Sequence, residues 1–284
     1  MKKIKVVGVS ILSLAAIVFI SSYLLETNTK AATPIDNSSV QSNSSPISIK
    51  NKMLNAIDNY QRVKGSYKNI TKNRNVTVDF DVEQGQSPYS HILLKNIDGS
   101  KKKEVVSDSN YLLETDEINR TFTKEKKVLN REKIETTRES KNSKGQREFK
   151  YRSDPATAQD AQLVTFPQQI AFWLNDDQKN YEIVGTENLL NRDTTVIQGY
   201  LNSTLSEKFG NSFKLWVDTN TGVLLKLITF DQKQQETSRI EVSDIEFDNV
   251  TPNAKSAVSE AKKTVGSFEQ ELHSKGFKDG ASNN

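Results

Sequence analysis

Residues 213–230 have the sequence FKLWVDTNTGVLLKLITF. Two runs of β-branched, aromatic and aliphatic residues flank a polar loop, residues 218–222, that ends in glycine. This pattern is typical of a β-hairpin, because glycine adopts the positive φ that hairpin loops often need. Side chains alternate between the two faces of a strand, so one face of the hairpin is expected to be apolar. The inward-facing side chains are predicted to be Phe213, Leu215, Val217, Leu225 and Leu227.

Further short segments with strand character lie before and after this hairpin. The clearest is 75–82, in which valine and phenylalanine alternate with polar residues. Turn residues separate the segments, which is typical of hairpins in an antiparallel sheet. The predicted strands are 66–71, 75–82, 89–95, 102–107, 111–115, 119–124, 181–186, 194–201, 213–217, 223–230 and 239–247.

Three segments have helical character. Apolar residues recur at helical spacing over 49–63, where Ser48 is a possible N-cap and Gly65 is placed to end the helix. A short helix is predicted over 168–174, opened by Pro167. An amphipathic helix is predicted over 251–276, and its apolar stripe is Val258, Ala261, Val265, Phe268 and Leu272.

The N-terminus predicts export. Lysines precede an apolar run over 6–25, which is the order of a signal peptide, with cleavage expected between Ala31 and Ala32. The run is also long enough to be an uncleaved membrane anchor. In both cases the rest of the chain is expected to be extracytoplasmic, either secreted or anchored to the outer face of the cytoplasmic membrane. A linker rich in Ser, Asn and Pro is predicted over 32–47, and a polar tail over 277–284.

Composition excludes several classes of function. The chain has 284 residues, no cysteine and a formal net charge of +3. Without cysteine there is no disulfide framework, thiolate zinc site or cysteine nucleophile. The excess positive charge comes from lysines of the leader, and a neutral body argues against nucleic-acid binding.

No motif predicts catalysis, a metal site or a cofactor. The two histidines, His91 and His273, lie far from any sequence pattern of a nucleophile and its base. Asp218, Asn220 and Gly222 resemble the start of a calcium loop, but the glycine is one place early, which favours a simple hairpin turn. The sequence therefore favours a binding or regulatory protein over an enzyme.

Residues 124–152 are strongly basic, with a turn predicted at 142–145. Two interpretations fit this pattern. A basic hairpin could face an anionic polymer or lipid surface, or charge could simply keep an edge hairpin soluble. The anionic-surface candidates are Lys141, Lys144, Arg147 and Lys150.

The densest aromatic cluster surrounds the predicted helix at 168–174. It either packs in the core or lines a groove for a hydrophobic ligand. The groove candidates are Phe166, Ile170, Phe172, Trp173, Phe213, Leu215, Val217, Leu225 and Leu227.

Three stretches carry a family resemblance. Residues 53–67 (MLNAIDNYQRVKGSY) are similar to the opening helix and first strand of LolA-like domains, the superfamily of outer-membrane lipoprotein carriers and the N-terminal domain of MucB/RseB-type regulators. The 213–230 hairpin resembles their W-V-D-x-x-T-G-x-x-L-K-L motif, and 242–247 resembles the strand that follows. Phe166-Pro167-Gln168 resembles a helical insert of Gram-positive members.

The resemblance covers about residues 48–250, taken as one domain, and implies an α+β fold. In this fold an antiparallel sheet curls into an open half-barrel with helices on its concave side. It also implies a non-enzymatic protein that binds a lipid, acyl chain or lipoprotein-like ligand, or a membrane regulator protein, as a sensor of envelope-stress sigma-factor signalling. The alternative is a cell-surface interaction protein that uses the basic hairpin.

Overall fold

The computed structural model describes residues 46–127, 138–175 and 179–248, together with Lys263 and Glu269–Gln270. The predicted leader, its cleavage position at Ala31 and Ala32 and the polar tail lie outside the described residues. So does the predicted linker up to residue 45.

One large sheet dominates the described part of the chain. Its twelve strands follow the order β14-β6-β5-β4-β3-β2-β1-β13-β12-β11-β10-β9. Neighbouring strands pair antiparallel, except that β14 pairs parallel with β6. The twelve strands are β1 (Arg62–Thr71), β2 (Arg74–Glu83), β3 (Tyr89–Asn96), β4 (Lys101–Ser107), β5 (Tyr111–Asp116), β6 (Thr121–Lys126), β9 (Tyr181–Leu189), β10 (Arg192–Tyr200), β11 (Ser212–Asp218), β12 (Leu224–Phe230), β13 (Glu236–Phe247) and β14 (Glu269–Gln270).

The sheet is open rather than closed into a barrel, and it curls so that one face is concave. We call this concave face the inner face and the opposite one the outer face. A separate hairpin of β7 (Glu139–Lys141) and β8 (Arg147–Phe149) forms a two-stranded sheet. The fold expected from the sequence, an antiparallel open half-barrel, is confirmed, and each predicted strand corresponds to an observed one.

The helices are short: α1 (Pro46–Leu54), α2 (Gln162–Thr165), α3 (Gln168–Ala171) and α4 (Ser203–Phe209). Single 3-10 turns lie at Ala56–Asp58 and Gln159–Ala161. Side chains of α1, α2 and α3 share the main hydrophobic core with the sheet. Within the described residues, no helix combines the length and apolar character needed to cross a membrane.

The predicted helix over 49–63 is wrong in its second half. Helix α1 ends at Leu54, and Val63 belongs to β1, where it pairs with Val82 and Phe247. Tyr60 and Val63 are three residues apart, a spacing that fits a helix but equally fits a turn followed by a strand. Gly65 therefore ends no helix. A Cβ at this position would overlap the carbonyl oxygen of Asp244 on the paired strand.

Helix α4 was not predicted. Asn202 caps it, since its side chain accepts a hydrogen bond from the Leu205 amide at 3.0 Å. Most of the helix predicted over 251–276 lies outside the described residues. Within that range Lys263 is helical, whereas Glu269–Gln270 form the strand β14.

Candidate functional site

The inner face of the sheet is apolar over most of its width. Val63 and Tyr67 of β1, Val78 of β2, and Leu215 and Val217 of β11 are fully buried there. On β1 and β2 these side chains alternate with polar residues on the outer face, whereas on β11 Trp216 lies between Leu215 and Val217 and faces outward. Among the described residues, the inner face carries the main hydrophobic cluster.

Residues 138–175 cover this face, and we call them the covering segment. It contains the β7–β8 hairpin, the Asp154 loop, α2 and α3. Each of the two helices has only four residues, so little regular backbone hydrogen bonding holds the segment in shape. Its position depends instead on side-chain contacts with the sheet and with α1.

Aromatic rings bring the covering segment and the sheet together. The ring of Trp173 lies 5.8 Å from that of Phe213 on β11 and 5.2 Å from that of Phe209 on α4. The ring of Phe172 lies 4.6 Å from that of Phe149 and 5.0 Å from that of Tyr151. These are the separations at which aromatic pairs attract. The aromatic cluster thus runs from the hairpin, through α3, to the sheet.

All nine groove candidates lie in this one layer. Phe166, Ile170, Phe172 and Trp173 come from the covering segment, and the others come from β11 and β12. The structure brings them into a single core cluster, in which each is at most 6% exposed. In this conformation they fill the layer, so a ligand would have to displace part of this packing.

Buried hydroxyl groups of the sheet side tether the covering segment. Tyr67 donates to the carbonyl oxygen of Asp160 at 2.6 Å, Tyr60 to that of Thr165 at 3.2 Å, and Ser90 to that of Ala156 at 2.8 Å. Burial raises the pKa of both tyrosines above its ordinary value. These phenols therefore stay neutral and act as hydrogen-bond donors.

Charged groups tether the other side of the segment to α1. Lys50 and Arg147 both bind the Glu139 carboxylate, at 2.7 Å and 2.5 Å. Burial would raise the pKa of Glu139, but hydrogen bonds from Arg147 and Lys50 outweigh burial and lower it. Arg138 is buried and donates to the carbonyl oxygen of Leu54 at 2.9 Å and to the side chain of Gln168.

This arrangement changes the interpretation of the basic segment. Arg147, one of the four anionic-surface candidates, is half-buried and contacts Glu139 and the Asn175 side chain, so its charge is engaged within the protein. Lys141, Lys144 and Lys150 are exposed on the hairpin. Residues 128–137 lie outside the described part of the chain. Much of the described basic charge therefore holds the covering segment in place.

The hairpin of residues 213–230 forms a socket for α1. The Asp218 carboxylate accepts hydrogen bonds from the backbone and side chain of Thr221, both at 2.7 Å, and is paired with Arg192. Lys52 donates to the carbonyl oxygen of Thr219 at 2.6 Å. Gly222 has a φ of 79°, and a Cβ there would overlap the carbonyl group of Lys52. The loop is thus a packed turn, as expected, with the Asp218 carboxylate already saturated.

Two other features of the described residues are polar rather than hydrophobic: a cleft and a histidine–carboxylate pair. A polar cleft of about 730 Å³ lies between the β2–β3 and β4–β5 turns, lined by residues such as Gln61, Gln84 and Asp108. His91 is paired with Glu104 at 2.7 Å, and His273 lies outside the described residues. Within the described ranges no group of His, Asp and Glu side chains could hold a metal ion.

Sequence reasoning missed three residues with structural contacts, two in the covering segment and one on the outer face of the sheet. Arg138 was counted only as part of a basic run, although it is 6% exposed. The Asp154 carboxylate accepts from the amides of Ala156 and Ala158 at 3.0 Å and 2.8 Å, and so shapes the loop before α2. Arg62 forms a buried pair with Asp81 at the edge of the core. The partners of Arg138 and Arg62 are distant in sequence and have no local signal, whereas the two amide bonds of Asp154 span only two and four residues.

Solved structures of similar fold include the MucA/MucB complex of Pseudomonas aeruginosa, at 16% identity and a TM-score of 0.43 over 73% of this chain. The chain spans 59% of that MucB chain. Lipoprotein LppX of Mycobacterium tuberculosis is 10% identical with a TM-score of 0.38, covering 74% of this chain and 98% of its own. LprF of Mycobacterium bovis is 13% identical with a TM-score of 0.39, covering 73% and 96%.

No curated protein matches the chain. Residues 108–273 match the family model of the MucB/RseB N-terminal domain, and this range is more than half of the chain. The match includes the covering segment, the 213–230 hairpin and β13. The family assignment rests on this sequence match rather than on the solved structures. The chain therefore belongs to the MucB/RseB N-terminal domain family of LolA-like proteins.

Proposed function

We propose that this protein is a non-enzymatic, extracytoplasmic binding protein for a hydrophobic or amphipathic ligand, such as an acyl chain or a lipoprotein-like segment. The ligand occupies the layer between the inner face of the sheet and the covering segment. One observation carries the proposal: a wide apolar sheet face is covered by two single-turn helices. Family membership supports a binding or regulatory role.

Entry of a ligand requires only local movement. The covering segment is held by its packed apolar side chains, by hydrogen bonds from Tyr60, Tyr67 and Ser90, and by charged contacts at Glu139, Arg138, Asp160 and Arg152. Elements with little regular structure open at lower free energy than the sheet beneath them. Displacement of α3 would expose the aromatic cluster and the inner face, and an acyl chain could then replace the contacts of Phe172 and Trp173.

The proposed biological role is that of a sensor or regulator at the membrane. A bound amphipathic molecule would stabilise an open position of the covering segment, which a membrane regulator protein could distinguish from the closed one. The MucB structure named above was solved with MucA. A membrane regulator is therefore the protein partner that we propose for this chain, with signalling through an envelope-stress sigma factor as its outcome.

Native mass spectrometry tests the ligand proposal. The protein is purified from its producing cell without detergent and sprayed intact. We expect an additional mass of a lipid or acyl-chain compound that is lost on collisional activation. The variant for comparison is Trp173→Ala. It removes a ring from the layer and should change the amount of ligand carried. A wild-type protein that is empty, and that also takes up no added lipid, contradicts the proposal.

The alternative function uses the exposed lysines of the β7–β8 hairpin. Lys141, Lys144 and Lys150 are exposed and lie on one small hairpin. Binding to an anionic polymer through them would weaken with salt, because exposed charges are screened. Changing Lys141 and Lys144 to glutamate should abolish such binding. Unchanged affinity would show that this hairpin is not the contact.

A further inference from the structure

Two isoleucines are strongly exposed at neighbouring turns. Ile97, in the β3–β4 turn, is 77% exposed, and Ile118, in the β5–β6 turn, is 64% exposed. Strands β3 to β6 are consecutive and antiparallel in the sheet, so both turns lie at the same end of it. With strands about 4.8 Å apart, the two tips are separated on the order of 10 Å.

The turn that carries Ile97 is already ordered by polar groups. The Asn96 amide donates to the Ser100 carbonyl at 2.9 Å, and the Gly99 amide donates to the Asn96 carbonyl at 3.0 Å. The Asp98 carboxylate accepts from the Ser100 amide at 2.9 Å. The isoleucine side chain contributes nothing to these bonds, and turn positions ordinarily favour Gly, Pro, Asn, Asp or Ser.

The second turn has the same design. The Asp116 carboxylate accepts from the amides of Ile118 and Asn119 at 2.8 Å and 2.9 Å. Ile118 is thus held outward by the backbone of an ordered polar turn. A single exposed aliphatic residue is ordinary on a protein surface. Two of them, on adjacent rigid tips, form a paired apolar contact that neither turn requires.

Basic residues surround the two tips. Lys72, in the β1–β2 turn, lies at the same end of the sheet, and Lys102 lies at the start of β4. Lys72 is exposed and Lys102 is half-buried, and neither side chain has a hydrogen bond or ion pair within the described ranges. The Arg120 side chain, beside Ile118, is 58% exposed and pairs with Glu117 at 3.6 Å. The turns also carry acidic residues, but Asp98 and Asp116 accept hydrogen bonds within the turns and Glu117 pairs with Lys101 and Arg120. Lys72 and Lys102 are therefore the charges left to face an anionic membrane surface, where apolar and basic contacts are both favourable.

We propose that this end of the sheet, which we call the isoleucine tips (Ile97 and Ile118 with Lys72 and Lys102), contacts an anionic lipid bilayer. The isoleucines insert among the lipid headgroups, and the lysines lie against lipid phosphates. This site is separate from the ligand layer, since the two turns lie outside the covering segment. It also differs from the β7–β8 hairpin, where the sequence alone suggested an anionic contact.

The absence of native cysteine allows a direct test on the full chain. Single variants Ile97→Cys and Ile118→Cys are labelled with an environment-sensitive fluorophore and reconstituted into vesicles of phosphatidylglycerol and phosphatidylcholine. The matched control is Val184→Cys, because Val184 is also exposed, at 44%, but lies on the edge strand β9. Thermal unfolding checks that each variant is folded.

We expect the fluorophore at 97 and 118 to shift to the blue and to be quenched by lipids that carry a spin label near the headgroup. The fluorophore at 184 should show neither change. Equal behaviour at the three positions overturns the proposal. So does a water-exposed fluorophore at 97 and 118, which would indicate that the tips serve a protein partner instead.

Charge reversal is the second part of the test of the membrane contact. In the labelled Ile97→Cys protein, Lys72→Glu with Lys102→Glu should remove the blue shift on anionic vesicles. The control pair, Lys141→Glu with Lys144→Glu, reverses two charges on the β7–β8 hairpin. It should leave the blue shift unchanged. The opposite result places the membrane contact on that hairpin and overturns the proposal. An empty ligand layer would leave this test unaffected.

Discussion

The two tryptophans of the chain lie on opposite faces of the same sheet. Trp173, in the covering segment, packs on the inner face against Phe209 and Phe213. Trp216, on β11, lies on the outer face in a small cluster with Val196 and Ile228. Both are nearly buried, at 6% and 7% exposure, yet different neighbours bury them.

The outer tryptophan is satisfied by its own strands. Its indole N–H donates to Glu187 at 2.7 Å, and the Lys214 and Lys226 ammonium groups lie 4.6 Å and 5.3 Å from the ring centre. Strands β9, β11 and β12 of the same sheet supply these groups, so the cluster is complete within the sheet. The inner tryptophan is buried only while the covering segment stays in place. On the inner face, therefore, a ligand can take the place of side chains that the covering segment supplies.

The largest expected effect comes from removing each ring in turn. Trp173→Ala should lower the free energy of unfolding by about 3–5 kcal/mol, since it leaves a cavity in the main core. Trp216→Ala should cost about 2 kcal/mol, because the long lysine side chains can close over the gap. Urea unfolding measures both. A larger cost at Trp216 would mean that the inner layer is not the main source of stability.

The next effect concerns the socket between the 213–230 hairpin and α1. Gly222→Ala should cost about 3 kcal/mol, since it adds a clash with Lys52 to the strain of a positive φ. Gly99→Ala is the control, because Gly99 has a φ of 81° and open space around it. It should cost about 1 kcal/mol, from strain alone. Thermal denaturation of both variants measures the difference. Equal costs would show that the 213–230 hairpin does not pack closely against α1 at Gly222.

The ionic tether predicts a dependence on pH. The pKa of Glu139 is lowered in the folded state, so its contribution to stability is present above its ordinary value of 4.5 and is lost as the pH falls through the folded pKa. Glu139→Gln should cost about 1–3 kcal/mol at neutral pH and should reduce the loss of stability in acid. Urea unfolding at several pH values measures this.

The control for the tether is Glu148→Gln, which removes an exposed carboxylate from the same hairpin. It should leave both the neutral-pH stability and the acid response close to those of the wild type. If Glu148→Gln behaves like Glu139→Gln, the effect comes from the charge of the hairpin as a whole and not from the contacts with Lys50 and Arg147.

The smallest expected effect on stability comes from a substitution on the outer face. Lys226 pairs with Glu241 at 2.6 Å and lies over Trp216. The pair is partly exposed, and surface pairs contribute about 0–1 kcal/mol, while the ring contact adds about 0.5 kcal/mol. Lys226→Ala should therefore lower the free energy of unfolding by about 1 kcal/mol, less at high salt. A cost as large as that of Trp173→Ala would show that the outer cluster is part of the main core.

The sheet could be predicted from the sequence because alternation is a local pattern. Phe213, Leu215 and Val217 indicate both the strand and its buried face without any knowledge of partners. Helical spacing is also a local pattern, but it misled at 60–65. An apolar spacing of three residues there fits a helix as well as a turn followed by a strand. Helix α4 was missed because its stabilisation depends on one capping residue, Asn202, and on contacts of Phe209 with Trp173.

The site was predictable in part. The aromatic content of 166–174 indicates a buried layer, and the sequence favoured the residues that the structure then brings together. It did not indicate that Arg138 is buried or that Arg147 pairs with Glu139 across the hairpin, because both contacts depend on how the segment folds. Leu54 and Gln168 lie 84 and 30 residues from Arg138. A run of basic residues therefore resembles a surface patch until the tertiary contacts are known.

The central claim is that a hydrophobic ligand occupies the inner layer, and the two tryptophans permit a direct measurement. Trp216→Phe leaves Trp173 as the single tryptophan, and Trp173→Phe leaves Trp216. Each protein is titrated with a fatty acid that carries bromine on its acyl chain, which quenches only on close contact. We predict saturable quenching of Trp173 and none of Trp216. Quenching of neither tryptophan, or of both equally, would contradict a ligand site on the inner face.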